Sequence, residues 1–231
     1  PEIEDLANFM IKLGFDVKGA GSSTISINGK QIDEIGTKEV VHEIIGDRIE
    51  AATYIIGALI TNSEARIEGF KSAHLDIVLD TLKTMGAQLK IEENAVEVKK
   101  SGQLSGVRVE TAPYPGFPTD AQAQLMALMG VCKGDSQISE HIFENRFMHV
   151  PELIRMGAEI TVHGNSALVR GVTGLKGAEV MATDLRASVA LVLAGLVAEG
   201  ETVVNRIYHL NRGYEKLVEK LSACGADIRL A

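Results

Sequence analysis

The 231-residue sequence is 45% hydrophobic and 23% charged, and its formal net charge is −8. The apolar fraction suffices for a packed core, whereas the acidic balance disfavours a nucleic-acid-binding surface. Cys132 and Cys224, the two cysteines, lie beside apolar residues; this argues against a disulfide framework or zinc site and predicts a reducing, cytoplasmic compartment.

The chain begins on a helical pattern over residues 1–13, followed by Gly19-Ala20-Gly21, which is typical of a hairpin turn. In the later repeats the corresponding helix follows another helix and a strand. No such helix or strand precedes residues 1–13. We therefore expect the chain to start inside a repeat. Residues 1–44 would be the end of one domain, and residues 45–231 most of a second domain.

An internal repeat organises the rest of the sequence. A glycine follows each of four helical patterns at intervals of 72, 71 and 68 residues (86−14, 157−86 and 225−157). A glycine at that position predicts a helix C-terminus with positive φ. The recurring segments are LGFDV (13–17), MGAQL (85–89), MGAEI (156–160) and CGADI (224–228).

Each complete repeat also begins with an aspartate that precedes an apolar helix. Helices that are apolar nearly all round must be buried on every side. The expected fold is therefore α/β, an inside-out α/β barrel of βαβαββ-type repeats with pseudo-threefold symmetry, and residues 227–230 should form one strand where the earlier repeats have two. The longest apolar helix is far short of the roughly 20 residues of a membrane span, so no membrane association is expected. The aspartates are Asp47, Asp120 and Asp184, and the helices cover 51–60, 123–131 and 187–198.

Four segments carry a resemblance to a known family: APYPGFPTD (112–120), FENRFMHVPEL (143–153), ATDLRASVALVLAG (182–195) and NRIYHLNRGYE (205–215). Together they resemble the second half of the bacterial enolpyruvyl transferases that act on UDP-N-acetylglucosamine, over essentially the whole chain. The resemblance implies transfer of enolpyruvyl from phosphoenolpyruvate to the sugar nucleotide's 3′-hydroxyl, with release of phosphate. This is the first committed step of peptidoglycan synthesis, and it needs no cofactor. It also implies that residues 1–44 end the domain bearing the catalytic cysteine, so the missing N-terminal half would be this chain's partner.

Asp120 is the candidate general base. Three prolines precede it and restrict the approach of the chain (Pro113, Pro115 and Pro118). Spacing alone favours a different role, in which Thr119 or Asp120 caps the following helix and Gln122 completes a capping box. The resemblance favours the catalytic role for Asp120 and places Thr119 at the same cleft, whereas Asp47 and Asp184 are expected to be caps.

Arg146, Arg186 and Arg212 are the candidate anion-binding residues, because a guanidinium pairs in bidentate fashion with carboxylate or phosphate. Arg186 lies in the first turn of an apolar helix, where a cation opposes the helix dipole. The alternative for each arginine is a structural salt bridge to Asp184 or to a neighbouring acid. The resemblance implies that Arg186 and Arg212 bind phosphoenolpyruvate and that Arg146 lies in the cleft.

The resemblance further places Ile142 at the sugar nucleotide and Phe143 beside it, with strand-end packing as the alternative role. His141 and His149 have no third ligand nearby, so no metal site is expected. Two other functions remain open. One is the related transferase acting on shikimate 3-phosphate, and the other is a folded domain without catalytic activity. The chain alone is expected to be inactive, because the resemblance does not assign the catalytic cysteine to either cysteine present.

Overall fold

A computed structural model of the chain describes residues 1–31 and 39–230, in two compact units, Pro1–Asp47 and Arg48–Ala231. The first unit holds helix α1 (Glu2–Lys12) and an antiparallel hairpin of β1 (Asp16–Lys18) and β2 (Ser26–Asn28). The hairpin predicted around residues 19–21 is confirmed. The enzyme domains to which 1–44 and 45–231 correspond stay a prediction.

Three helices form the centre of the second unit and contact one another: α2 (Arg48–Ile60), α4 (Gln122–Met129) and α6 (Leu185–Gly195). All eight residues of α4 are buried, as are most residues of α2 and α6. This confirms the burial expected of helices without a polar face. None of the helices in the described part of the chain has the length and apolarity needed to cross a membrane.

Short strands enclose these helices, and α2, α4 and α6 each pack against strands of their own repeat. In the first repeat the antiparallel order is β3-β5-β4, and in the second the order is β6-β7-β9-β8, with β6 and β7 parallel. Two parallel pairs, β10 with β12 and β11 with β13, border α6. The inside-out architecture expected from the repeats is confirmed. The strands are β3 (Ala65–Glu68), β4 (Gln88–Glu92), β5 (Ala95–Lys99), β6 (Arg108–Glu110), β7 (Asp135–Ser139), β8 (Glu159–His163), β9 (Ser166–Arg170), β10 (Leu175–Lys176), β11 (Glu179–Met181), β12 (Ala198–Glu199) and β13 (Val203–Asn205).

A second helix closes each repeat: α3 (Asp76–Thr84), α5 (Val150–Arg155) and α7 (Leu217–Ala223). The repeat glycines follow them with φ of +103° at Gly86, +94° at Gly157 and +93° at Gly225. Residues that carry a Cβ rarely adopt this backbone conformation. The helix ends predicted from the repeat are therefore confirmed.

The end of the chain differs from expectation. Residues 227–230 were expected to form a strand, but the structure assigns none within residues 226–230. A strand requires a neighbouring backbone to complete its ladder. No strand in the described part of the chain pairs with this segment, and its amide at Ile228 instead donates to Ala226 O.

Candidate active site

A closed loop brings Asp120 to the start of α4. The Ala112 amide donates to Phe117 O at 3.0 Å, and the side chain of Phe117 is buried. Asp120 then lies in a 3₁₀ turn, Thr119–Ala121, that leads into α4. Neither the turn nor α4 has a side-chain cap, and Gln122 is buried inside the core. The proposed capping box is therefore wrong, because the turn directs both polar side chains elsewhere.

The carboxylate of Asp120 receives two guanidinium groups on one oxygen. Its Oδ1 lies 2.9 Å from Arg146 Nη2 and 3.3 Å from Arg186 Nε. Oδ2 takes part in no hydrogen bond within residues 1–31 and 39–230. The side chain of Asp120 is 43% exposed, whereas both arginine side chains are mostly buried. Three residues singled out from sequence, from two different repeats, thus meet at one point.

The helix dipole at Arg186 is compensated by Asp184. Asp184 Oδ1 accepts from the amides of Arg186 at 2.7 Å and Ala187 at 2.9 Å, which confirms its predicted role as an N-cap. The Asp184 carboxylate is therefore engaged with the backbone. The alternative salt bridge between Arg186 and Asp184 is wrong, and the guanidinium reaches Asp120 instead.

Tyr214 also contacts Arg186, because its hydroxyl lies 3.4 Å from Nη1. Burial lowers the pKa of Arg186, but Tyr214 and Asp120 outweigh it, so the pKa lies above its ordinary value. Burial raises the pKa of Tyr214, which keeps its hydroxyl protonated. Asp120 is therefore the negative partner of Arg186.

A buried polar network supports this cluster and was not found from the sequence. The Tyr214 hydroxyl is 2.9 Å from Thr53 Oγ1, and Gln124 Nε2 lies within 3.3 Å of both and 2.9 Å from Asp120 O. Thr53 is on α2 and Gln124 on α4, so the network joins the central helices below Asp120. The signal in the sequence was a polar residue, Thr53 or Gln124, among the apolar residues of each helix.

Glu140, directly after β7, is a second site residue that the sequence analysis missed. Its side chain accepts from Thr119 Oγ1 at 2.8 Å and from Thr111 Oγ1 at 2.7 Å. It also accepts from the amides of Ile142 at 2.8 Å and Phe143 at 3.2 Å. The carboxylate therefore links the turn of Asp120 to the loop that follows Glu140.

That loop lines an open pocket of about 790 Å³. Ile142 and Phe143 are both exposed at this pocket, and the guanidinium of Arg146 lies 5.1 Å from the centre of the Phe143 ring. Phe143 therefore packs against a residue that also holds Asp120. The lining residues are Glu140 to Met148, Val162, Gly164 and Asn165.

The structure does not join Arg212 to the other two arginines by a direct contact. Arg212 ends the 3₁₀ turn Ile207–Arg212 and is exposed. In the described part of the chain its guanidinium has no hydrogen-bond or ion-pair partner. Its backbone is nevertheless near the start of α6, because the next residue, Gly213, packs closely against Leu185. The predicted role of Arg212 stays a prediction.

The two cysteines differ in environment. Cys132 is buried, its Sγ donates to Leu128 O at 3.1 Å, and burial raises its pKa to about 12. Cys224 is exposed and also a free thiol. Within residues 1–31 and 39–230, His, Cys, Asp and Glu side chains do not form a group of three that could hold a metal ion.

Comparisons with known proteins agree with this architecture. A family model described as EPSP synthase (3-phosphoshikimate 1-carboxyvinyltransferase) matches residues 1–221. The UDP-N-acetylglucosamine 1-carboxyvinyltransferase of Granulibacter bethesdensis is 54% identical over 99% of this chain and 53% of that protein. The protein of the same name from Rhodospirillum centenum is 56% identical over 99% of this chain and 52% of its own length.

Among solved structures, the enolpyruvyl transferase NikO from Streptomyces tendae matches with a TM-score of 0.84 at 30% identity, over 97% of this chain and 53% of that chain. The chain therefore spans about half the length of the relatives that it matches. The match to NikO shows that the two chains share this fold.

Proposed function

Because this chain belongs to the EPSP synthase (3-phosphoshikimate 1-carboxyvinyltransferase) family, we propose that it is the C-terminal half of a UDP-N-acetylglucosamine enolpyruvyl transferase. The whole enzyme transfers enolpyruvyl from phosphoenolpyruvate to the 3′-hydroxyl of the sugar nucleotide and releases phosphate. The names of relatives more than 50% identical support this substrate over shikimate 3-phosphate. The proposed setting is the bacterial cytoplasm, at the first committed step of peptidoglycan synthesis.

The observation that carries this proposal is the arrangement at Asp120. Arg146 and Arg186 both hold Oδ1, and Oδ2 is left available on a partly exposed side chain. Attack of a sugar hydroxyl on phosphoenolpyruvate requires a group that accepts the hydroxyl proton. Asp120 Oδ2 performs that step. Because a carboxylate is a weak base for an alcohol, proton transfer accompanies bond formation instead of preceding it.

The remaining candidate residues bind the two substrates. Ile142 and Phe143 form a wall for the sugar nucleotide at the open pocket, and Thr119 fixes the turn beside it. Arg186 and Arg212, with Arg146 in the cleft, supply positive charge for the carboxylate and phosphate of phosphoenolpyruvate. Charge placed in advance stabilises the anionic groups without reorganisation during the reaction.

The N-terminal half is the proposed partner of this chain. It supplies the acid that protonates the methylene carbon, a role that the family resemblance gives to a cysteine outside this sequence. The raised pKa of buried Cys132 makes it a poor substitute. No cofactor takes part in the proposed reaction.

Phosphate release by the full-length enzyme tests this function. We expect turnover with UDP-N-acetylglucosamine and phosphoenolpyruvate, and no turnover with shikimate 3-phosphate as acceptor. The 231-residue chain alone should release no phosphate. Preference for shikimate 3-phosphate would replace the proposed substrate, and a full-length protein inactive with both acceptors would favour a folded domain without catalytic activity.

A further inference from the structure

Glu140 is a buried carboxylate whose four hydrogen-bond partners are all neutral. The residue is 3% exposed. Its donors are the hydroxyls of Thr111 and Thr119 and the amides of Ile142 and Phe143. No lysine, arginine or histidine in residues 1–31 and 39–230 forms an ion pair with it. An ionised carboxylate only accepts hydrogen bonds, so it matches a set of four donors.

Such a group is costly to bury, because a carboxylate loses its hydration and here gains no cation in return. A nonpolar side chain of similar size would avoid that cost, but it would leave the four donors without their acceptor. A nonpolar side chain could not hold the two hydroxyls and two amides in one fixed arrangement. The value of Glu140 therefore lies in the position of its donors.

Those donors belong to two parts of the proposed active site. Thr119 precedes Asp120 in the 3₁₀ turn, so the bond from its hydroxyl to Oε2 fixes the direction in which that turn presents the base. The two amides on Oε1 fix the loop at Ile142 and Phe143, which forms the pocket wall. One side chain thereby sets the base and the wall relative to each other.

We propose that Glu140 is a positioning residue for this reaction: it aligns the Asp120 carboxylate with the sugar-nucleotide wall at Ile142 and Phe143. This inference rests on the proposed function. Glu140 does not touch the reacting atoms. It acts through Thr119 on the base and through two backbone amides on the pocket, so its two oxygens affect different kinetic constants.

The test uses the full-length enzyme and separates kcat from KM. Glu140→Ala removes all four bonds, and we expect kcat to fall about 100-fold, because a misplacement of about 1 Å is sufficient for such a loss. KM for UDP-N-acetylglucosamine should rise. Thr119→Val removes only the bond on the side of Asp120, so kcat should fall about tenfold while that KM changes less than about twofold.

Two further variants guard against a purely structural effect. In Glu140→Gln the amide oxygen can still accept from the two backbone amides, and the Thr119 hydroxyl can rotate to accept from the new NH₂ group. We therefore expect partial rescue relative to Glu140→Ala. Ser139→Ala is the matched control, because Ser139 is a buried neighbour whose hydroxyl bonds Ser166 at 2.9 Å, outside the active site. It should retain the parent kcat.

Each outcome decides a separate claim. If the parent enzyme does not use UDP-N-acetylglucosamine, the proposed function fails. If the parent does use it, but Glu140→Ala and Thr119→Val retain the parent kcat, the positioning role alone is overturned. Equal losses of kcat in Thr119→Val and Ser139→Ala would also overturn it. If Glu140→Ala fails to fold, the kcat values of Glu140→Gln and Thr119→Val test the positioning role instead.

Discussion

Asp120 and Asp184 occupy equivalent places in two repeats, yet their carboxylates bind different groups. Each follows a threonine and precedes a buried central helix. Asp184 has an extended backbone and accepts from two amides of α6. Asp120 lies inside a 3₁₀ turn and faces Arg146 and Arg186 instead. The same repeat position thus supplies a helix cap in one repeat and the candidate base in another.

The difference arises from the preceding loop. Before Asp120, three prolines and the buried ring of Phe117 hold the chain, and Glu140 binds the neighbouring Thr119. The helix start is therefore displaced from its aspartate. Before Asp184 the chain enters α6 directly. A repeated fold can release a side chain for chemistry by changing one loop, while the helices keep their packing.

Replacing each aspartate by asparagine should separate the two roles most strongly. In the full-length enzyme, Asp120→Asn keeps the shape but loses the base, so we expect turnover to fall at least about 1,000-fold. Asp184→Asn retains an oxygen that can accept from the α6 amides, so its turnover should stay within about tenfold of the parent. Steady-state phosphate release measures both. Equal losses in the two variants, with folding intact, would remove the distinction between them.

His149 is buried at the start of α5, and its titration should make the stability of the protein depend on pH. Burial lowers its pKa from 6.5 to about 4; Asp184 raises the pKa and Arg146 lowers it, both by smaller amounts. The unfolded chain binds a proton below pH 6.5 that the folded chain does not bind until about pH 4. Stability is therefore full above pH 6.5 and decreases as the pH falls to 4, by about 3 kcal/mol in all.

Denaturant unfolding of the chain between pH 4 and 7 measures this contribution of His149. In His149→Leu the decrease should be smaller than in the parent by about 3 kcal/mol. His163 is exposed on β8 and serves as the matched control, so His163→Leu should keep the parent's slope. An unchanged slope in His149→Leu would show that the buried imidazole is not the titrating group.

The smallest expected effect is that of the cap itself. Asp184→Ala leaves the amides of Arg186 and Ala187 without their acceptor, and we expect the free energy of unfolding to fall by about 1 kcal/mol. Asp135→Ala is the comparison, because it removes an exposed pair with Arg170 that contributes little. Chemical denaturation at neutral pH distinguishes the two. Identical stabilities of both variants would contradict the capping role.

Much of the fold was predictable from sequence because its signals are local. The repeat glycines report a backbone conformation that few other residues adopt, and the apolar helices report burial on every side. The aspartate cap at 184 follows from the same local rules. The strand expected at 227–230 was wrong because a strand depends on a neighbour that its own sequence does not specify.

The site was only partly predictable, since its contacts join distant residues. Asp120 and the arginines were identified by resemblance, but the partner of Arg186 is 66 residues away (186−120) instead of two. The polar network at Thr53 and Gln124 required the packing of α2 against α4. No sequence pattern identified Glu140 as a site residue, because a single glutamate after a strand is usually solvent-exposed.

The most direct test of Asp120 as the base is a rapid-quench measurement on the full-length Asp120→Asn enzyme mixed with both substrates. Unlike steady-state turnover, a single turnover separates the chemical step from slow product release. The predicted result is that UDP-N-acetylglucosamine and phosphoenolpyruvate bind, while no phosphate or enolpyruvyl product forms on the timescale of the parent reaction. A burst of phosphate equal to the enzyme concentration, at the parent rate, would show that another group accepts the hydroxyl proton.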